Sequence, residues 1–171
     1  MGNQTKVTEF IILGLSNNLQ MQIFLFLGFL VVYLVTLLAN MVIMLVIRAD
    51  PHLHTPMYFF LSHLSFVDIC YFSAIVPNML VHFLAEHKTI SVNSCIEQMF
   101  FFFLLAATEI CILSAMAYDH YAAICDPLRY MDTMSTRICV QLASSAWAIG
   151  FFHALLNTVS ALMFLKYCQS Y

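Results

Sequence analysis

The sequence of 171 residues predicts an all-α protein, a polytopic membrane bundle of four transmembrane helices, and three observations carry that prediction. Hydrophobic residues make up 63% of the chain and charged residues 9%, with a mean hydropathy of +0.89. Globular chains hold about 45–50% apolar and about 25% charged residues, so a soluble core of this size cannot hide so much apolar surface. Four apolar stretches, at roughly 23–47, 57–83, 95–122 and 138–165, each exceed the ~20 helical residues that cross a hydrocarbon layer about 30 Å thick. The connectors between them are short and polar, which makes consecutive helices antiparallel neighbours in one bundle.

Residues 1–22 form a mostly polar tail, and residues 23–171 hold the bundle. No basic stretch followed by a short apolar core and a small-residue cleavage site precedes the first span, so that span is expected to insert as an uncleaved anchor. Asn3-Gln4-Thr5 is a glycosylation sequon, which favours an outside N-terminus. The first connector, Arg48 to Pro56, carries two prolines, the second runs through Glu86-His87-Lys88 to Ser94, and the third spans Asp126 to Arg137. After the fourth span, Lys166 to Tyr171 reads like an interrupted loop.

Loop charge does not settle orientation. Arg48, Arg129 and Arg137 fall on one side, Lys6, Lys88 and Lys166 on the other. The sequon and the anchor reading together place the arginine end in the cytosol. The formal charge of −3 is spread along the chain without a basic face, which disfavours nucleic acid as a partner.

Depth can be read from a rise of about 1.5 Å per helical residue. Asn40 lies eight residues before Arg48, Asp68 eleven after Met57, Glu109 ten before Asp119 and Trp147 nine after Ile138. All four fall about 12–17 Å from the arginine edge, near the midplane. An ionisable residue there costs at least about 2.5–3.5 kcal/mol on insertion scales and normally faces a partner or a wet cavity. Asp68 and Glu109 share one depth. Either one carries a proton or a cation sits between them, or each is capped separately by Asn40, Ser65, Ser114 or backbone groups.

Other constellations carry less chemistry. His52-Leu53-His54 lacks the further ligands zinc requires and reads as interfacial anchoring. The six cysteines contain no Cys-x-x-Cys pair, and Cys70, Cys111 and Cys125 read as packing residues. Cys95 and Cys168 lie at the outer ends of spans, where oxidation is permitted. A stripe at helical spacing, Met99, Phe102, Phe103, Ala106, Ala107 and Ile110, either shapes an apolar hollow or packs against a neighbour. At the end of the third span, Asp119, His120 and Tyr121 fit a proton relay, a metal site or a conformational latch. No nucleophile or ligand set accompanies them, so an enzyme is not expected.

The run Met116-Ala117-Tyr118-Asp119-His120-Tyr121-Ala122-Ala123-Ile124-Cys125-Asp126-Pro127-Leu128-Arg129-Tyr130 resembles the signature of the olfactory receptors, a branch of the rhodopsin-like G-protein-coupled receptors, in all but two of its fixed positions. Leu53-His54-Thr55-Pro56-Met57-Tyr58-Phe59-Phe60-Leu61 and Leu64-Ser65-Phe66-Val67-Asp68-Ile69-Cys70 add two further hallmarks in family order and spacing. The resemblance implies a seven-helix fold with an outside N-terminus, a small apolar odorant in an outer cavity and a stimulatory G protein on the inside. It assigns Phe102, Phe103, Ala106, Ala107, Ile110, His153 and Asn157 to the odorant pocket, and Asp119, His120 and Tyr121 to the G-protein latch. Asp68 and Glu109 match the acidic pair that holds a sodium ion in related receptors, and no other cofactor is implied. Cys95 and Cys168 are similar to two outer disulfide cysteines whose family partners lie beyond Tyr171.

Three departures stand out. His120 replaces the family's arginine and lacks its forked guanidinium. A family valine falls within Ala122-Ala123, and Ala39 replaces the usual glycine before Asn40. The chain also stops before the fifth, sixth and seventh spans. The expectation is therefore a truncated receptor at the plasma membrane, unable to signal alone and retained in the endoplasmic reticulum if truncated. The alternative is a small four-helix membrane protein that associates with intact receptors and affects their folding or trafficking.

Overall fold

The computed structural model describes residues 9–11, 18–84 and 89–170. In chain order these form strand β1 (Glu9–Ile11), helix α1 (Leu19–Ala49), a 3-10 turn (Pro51–Leu53), α2 (Pro56–Leu84), β2 (Thr89–Ser91), α3 (Val92–Cys125), a short α4 (Tyr130–Thr133) and α5 (Thr136–Ser170). Four of these helices are long and apolar enough to cross a membrane, over Gln20–Ala49, Pro56–Val81, Val92–Cys125 and Thr136–Tyr167.

Each long helix outruns the apolar stretch that predicts it, and α1 takes in four residues assigned above to the tail. Hydropathy marks the hydrocarbon layer, whereas a helix persists until its backbone hydrogen bonds are interrupted. For α1 the ends are set by caps. Asn18 accepts from the Gln20 N–H at 3.1 Å, and Asp50 leaves the helix just before Pro51 and accepts from the His52 N–H at 2.9 Å. Ser91 caps α3 by accepting from the Ser94 N–H at 3.2 Å.

The helices pack in the sequence α1 on α2, α2 on α3 and α3 on α5, with α3 at the centre. Lipid is as apolar as leucine, so close approach rather than expulsion of water holds such helices together. Along α5 the approach is made by Ala143, Ala146, Gly150 and Ala154, a stripe of small residues on one face. A Cβ at Gly150 would collide with Thr108 Oγ1 and lie 2.7 Å from the Leu104 carbonyl oxygen. Thr108 is fully buried there and donates to that same carbonyl at 2.7 Å. Phe60, Val67, Leu105, Ile112 and Ala115 complete the core between α2, α3 and α5.

Within α2, Pro77 cannot donate to the carbonyl of Ser73. The Ser73 hydroxyl, on the same turn, accepts from Tyr33 Oη of α1 at 3.4 Å. At the end of the bundle away from the arginines, β1 and β2 pair antiparallel in the register Glu9↔Ser91, Phe10↔Ile90 and Ile11↔Thr89. This pairing joins the tail to the start of α3. At the other end, part of the connector predicted between Asp126 and Arg137 folds into α4, and Met134, just after it, is buried in the core.

Candidate functional site

The arginine end of α3 separates the three residues that the sequence places side by side. Asp119 is only 3% exposed and accepts a 2.8 Å hydrogen bond from Tyr130 Oη of α4. His120 is exposed, with Nδ1 2.7 Å from the Met116 carbonyl oxygen, so that nitrogen carries the proton and donates along its own helix. Tyr121 is exposed as well. Consecutive helical residues do not face one another, which is why an inward Asp119 has an outward His120 as its neighbour.

Burial, reinforced by the hydrogen bond to Asp119 and by that carboxylate's charge, pushes the Tyr130 phenol up to about 12, with a further contribution from Cys139. Tyr130 therefore remains a neutral donor at physiological pH. Among the described residues no group of three or more His, Cys, Asp or Glu side chains could hold a metal ion. What the geometry presents is a carboxylate clamped by a tyrosine from the next connector. Sequence reasoning missed Tyr130 as Asp119's partner, because the turn through Asp126-Pro127-Leu128 sets their distance and no helical spacing does.

Deeper in the bundle, Asp68 of α2 and Glu109 of α3 are partly buried, and the Asp68 charge acts on Glu109. Two of the groups that might have capped them separately are engaged elsewhere. Asn40 donates to the Thr36 carbonyl at 3.1 Å and Ser114 to the Ile110 carbonyl at 2.8 Å, each within its own helix.

Toward the strand end, the structure brings Phe103, His153 and Asn157 together across α3 and α5. The Phe103 and His153 rings meet edge to face at 5.8 Å and 74°. Asn157 donates to the His153 carbonyl at 2.8 Å and lies 3.3 Å from its Nε2. Phe102 meets Phe103 edge to face at 5.5 Å and also reaches Tyr71 of α2 at 5.6 Å. Ala106 and Ala107 are partly buried between these positions, and Ile110 is 64% exposed. The set forms an open wall rather than an enclosed pocket.

Two large cavities lie elsewhere, and none of those seven residues lines either one. The first, of about 650 Å³, opens between α2, α3 and α5 beside Phe66, Glu97, Phe101 and Trp147, on the face of α3 opposite the Phe102–Ile110 stripe. The second, of about 600 Å³, opens at the arginine end between α1, α2, α4 and α5. Cys70, Cys95, Cys111 and Cys125 are free thiols. Cys168 belongs to the last turn of α5, but its side chain lies outside the described residues, as does Asn3.

Compared with known proteins, residues 29–171 match a family model described as olfactory receptor. Among curated relatives, Olfactory receptor 5I1 of Homo sapiens is 54% identical over 167 residues, covering 98% of this chain and 53% of the relative. Olfactory receptor 8S1 of Homo sapiens is 48% identical over 170 residues, covering 99% of this chain and 47% of the relative. Olfactory receptor 5G9 of Mus musculus is 49% identical over 168 residues, covering 98% and 53%. The chain spans about half the length of the curated relatives it matches. Identity near one half along almost the whole chain, on a bundle of four membrane-length helices, leaves one conclusion: the chain belongs to the olfactory receptor family.

Proposed function

We propose that this chain forms the first four helices of an odorant-gated G-protein-coupled receptor of the plasma membrane, N-terminus outside, with a G-protein latch weakened by His120. The clamp at the arginine end carries this reading. Asp119 already has its partner in Tyr130, while His120 is tied to the Met116 carbonyl and reaches no acidic group among the described residues. An arginine at that position would extend further, hold a permanent charge and offer a planar fork of donors to a docked partner. Beside the clamp, Leu128 is 96% exposed on the connector.

The wall of Phe103, His153 and Asn157 supplies an aromatic edge and one polar pair, suited to a small apolar odorant with a single hydrogen-bonding group. Further helices of a full receptor would close it. Asp68 and Glu109 are the residues that would hold a sodium ion, since two mutually repelling carboxylates gain most from a shared cation.

The test is a chimera that continues this chain with the remainder of Olfactory receptor 5I1. Cyclic AMP would be read at rest and on exposure to a panel of volatile alcohols and aldehydes. Replacing His120→Arg is expected to raise the signal at least about tenfold, the worth of one hydrogen bond to a charged group. Equal signals from both forms would show that residue 120 does not limit coupling.

A further inference from the structure

The cavity at the arginine end has a composition that the receptor reading does not use. Its roughly 600 Å³ lies within the range of ordinary ligand pockets, and no carboxylate lines it. Lining it instead are the basic or imidazole residues Arg48, His54 and His63 and the hydroxyl residues Thr55, Ser62, Ser135 and Thr136. Among the described residues, the side chains of Arg48, His54, Ser62, Ser135 and Thr136 make no hydrogen bond or ion pair with another protein group. Of the acids nearest in sequence, Asp132 is exposed beside Met131 and Asp50 is engaged. Asp50 accepts from the His52 N–H at 2.9 Å, and Asp119 is held by Tyr130.

The backbone adds to this. The long helices α2 and α5 both begin on the cavity wall, at Pro56 and Thr136. Neither Thr55 nor Ser135, the residue before each helix, caps it through its hydroxyl. Two sets of first-turn N–H groups and two positive dipole ends thus converge beside an arginine.

We propose that this cavity binds the phosphate headgroup of an inner-leaflet lipid, with Arg48 and His54 on the phosphate and the hydroxyls of Ser135 and Thr136 donating to it. Depth selects a lipid over a soluble phosphate. Arg48 lies about 12 Å from the midplane residue Asn40, about 3 Å short of the edge of a hydrocarbon core about 15 Å deep on each side, from which its long side chain reaches the headgroup layer. The lip of the cavity includes Met131, which is 80% exposed, next to the exposed Leu128, and both are suited to acyl chains. The inner-leaflet assignment rests on the orientation proposed above, whereas the binding site itself does not.

The experiment uses the whole chain in phosphatidylcholine nanodiscs and a fluorescent phosphatidylinositol phosphate read by polarisation. Competitors are unlabelled phosphatidylserine, soluble inositol trisphosphate and inorganic phosphate. The lipid phosphomonoester is expected to bind at least about tenfold more tightly than phosphatidylserine. Arg48→Gln should weaken it by more than about tenfold, as a lost charge-assisted hydrogen bond does. Arg137→Gln removes an exposed charge from the same face but not from the cavity lining, and should cost no more than about fivefold, the effect of surface potential alone. Ser135→Ala, which leaves the charges intact, should weaken binding severalfold and guards against a misfolded arginine variant. Equal losses from Arg48→Gln and Arg137→Gln would overturn the site. Competition by inositol trisphosphate at the lipid's own affinity would overturn the lipid and leave a soluble phosphate in its place. Because the nanodisc exposes both faces, failure here would be independent of how the chain lies in a cell.

Discussion

Gly150 is where the packing of the bundle can be tested most directly. An alanine Cβ there would sit 2.7 Å from the Leu104 carbonyl oxygen, 0.7 Å short of ordinary contact at 3.4 Å, and would collide with Thr108 Oγ1. A backbone carbonyl cannot turn aside, so α3 and α5 must part by most of that shortfall. A gap of 0.5–1 Å forfeits about a quarter to a half of each dispersion contact along the stripe of Ala143, Ala146 and Ala154. Overpacking of this kind costs about 1–3 kcal/mol, and displacing Thr108 from its bond to Leu104 adds about 0.5–1.5 kcal/mol. The better helix propensity of alanine returns up to about 1 kcal/mol. Gly150→Ala is therefore expected to destabilise the protein by about 0.5–4.5 kcal/mol. Unfolding by sodium dodecyl sulfate in mixed micelles, followed through the single tryptophan, Trp147, measures it. Adding Thr108→Ala should recover part of the loss, because it removes the side-chain clash but not the carbonyl. A Gly150→Ala protein as stable as its parent would refute the close approach of the two helices.

Tyr130→Phe leaves the buried Asp119 without its donor and should cost about 1–3 kcal/mol in the same assay. The phenol's raised value also fixes a pH signature. A folded value near 12 against 10.0 for the free group means that its contribution is complete below about pH 10 and fades as the pH climbs toward 12. The melting temperature of the parent should fall through that window more steeply than that of Tyr130→Phe, and parallel curves would rule the clamp out. For the midplane pair, sodium chloride is expected to raise the melting temperature above that in choline chloride at equal ionic strength. Asp68→Asn should abolish the difference, and its survival in that variant would remove the cation from the site.

The four spans were legible because crossing a membrane is a one-dimensional demand. A run of apolar side chains long enough for the hydrocarbon is sufficient, and its neighbours need not be known. The same arithmetic put Asp68 and Glu109 at one depth, and the structure sets them within reach of each other's charge. Helix ends were less legible, since Asn18 and Ser91 cap by short-range hydrogen bonds that hydropathy does not register. The pairing of Glu9–Ile11 with Thr89–Ser91 left no pattern at all, because three residues are too few to show alternation.

The sequence by itself determined the class of the molecule, the number of its membrane-length helices and, through Met116 to Tyr130, its family. These properties depend on side-chain identity and spacing within one helix. Only the tertiary structure decided which neighbours act together. It gave Asp119 to Tyr130 rather than to His120, and set Phe103 against His153 of α5 and Phe102 against Tyr71 of α2. It also gathered Arg48, His54, Ser135 and Thr136, from three segments, around one cavity. The reason is geometric: facing across helices is set by each helix's rotation and by how closely small residues such as Gly150 let it approach, and neither quantity is written in the order of residues along a single chain.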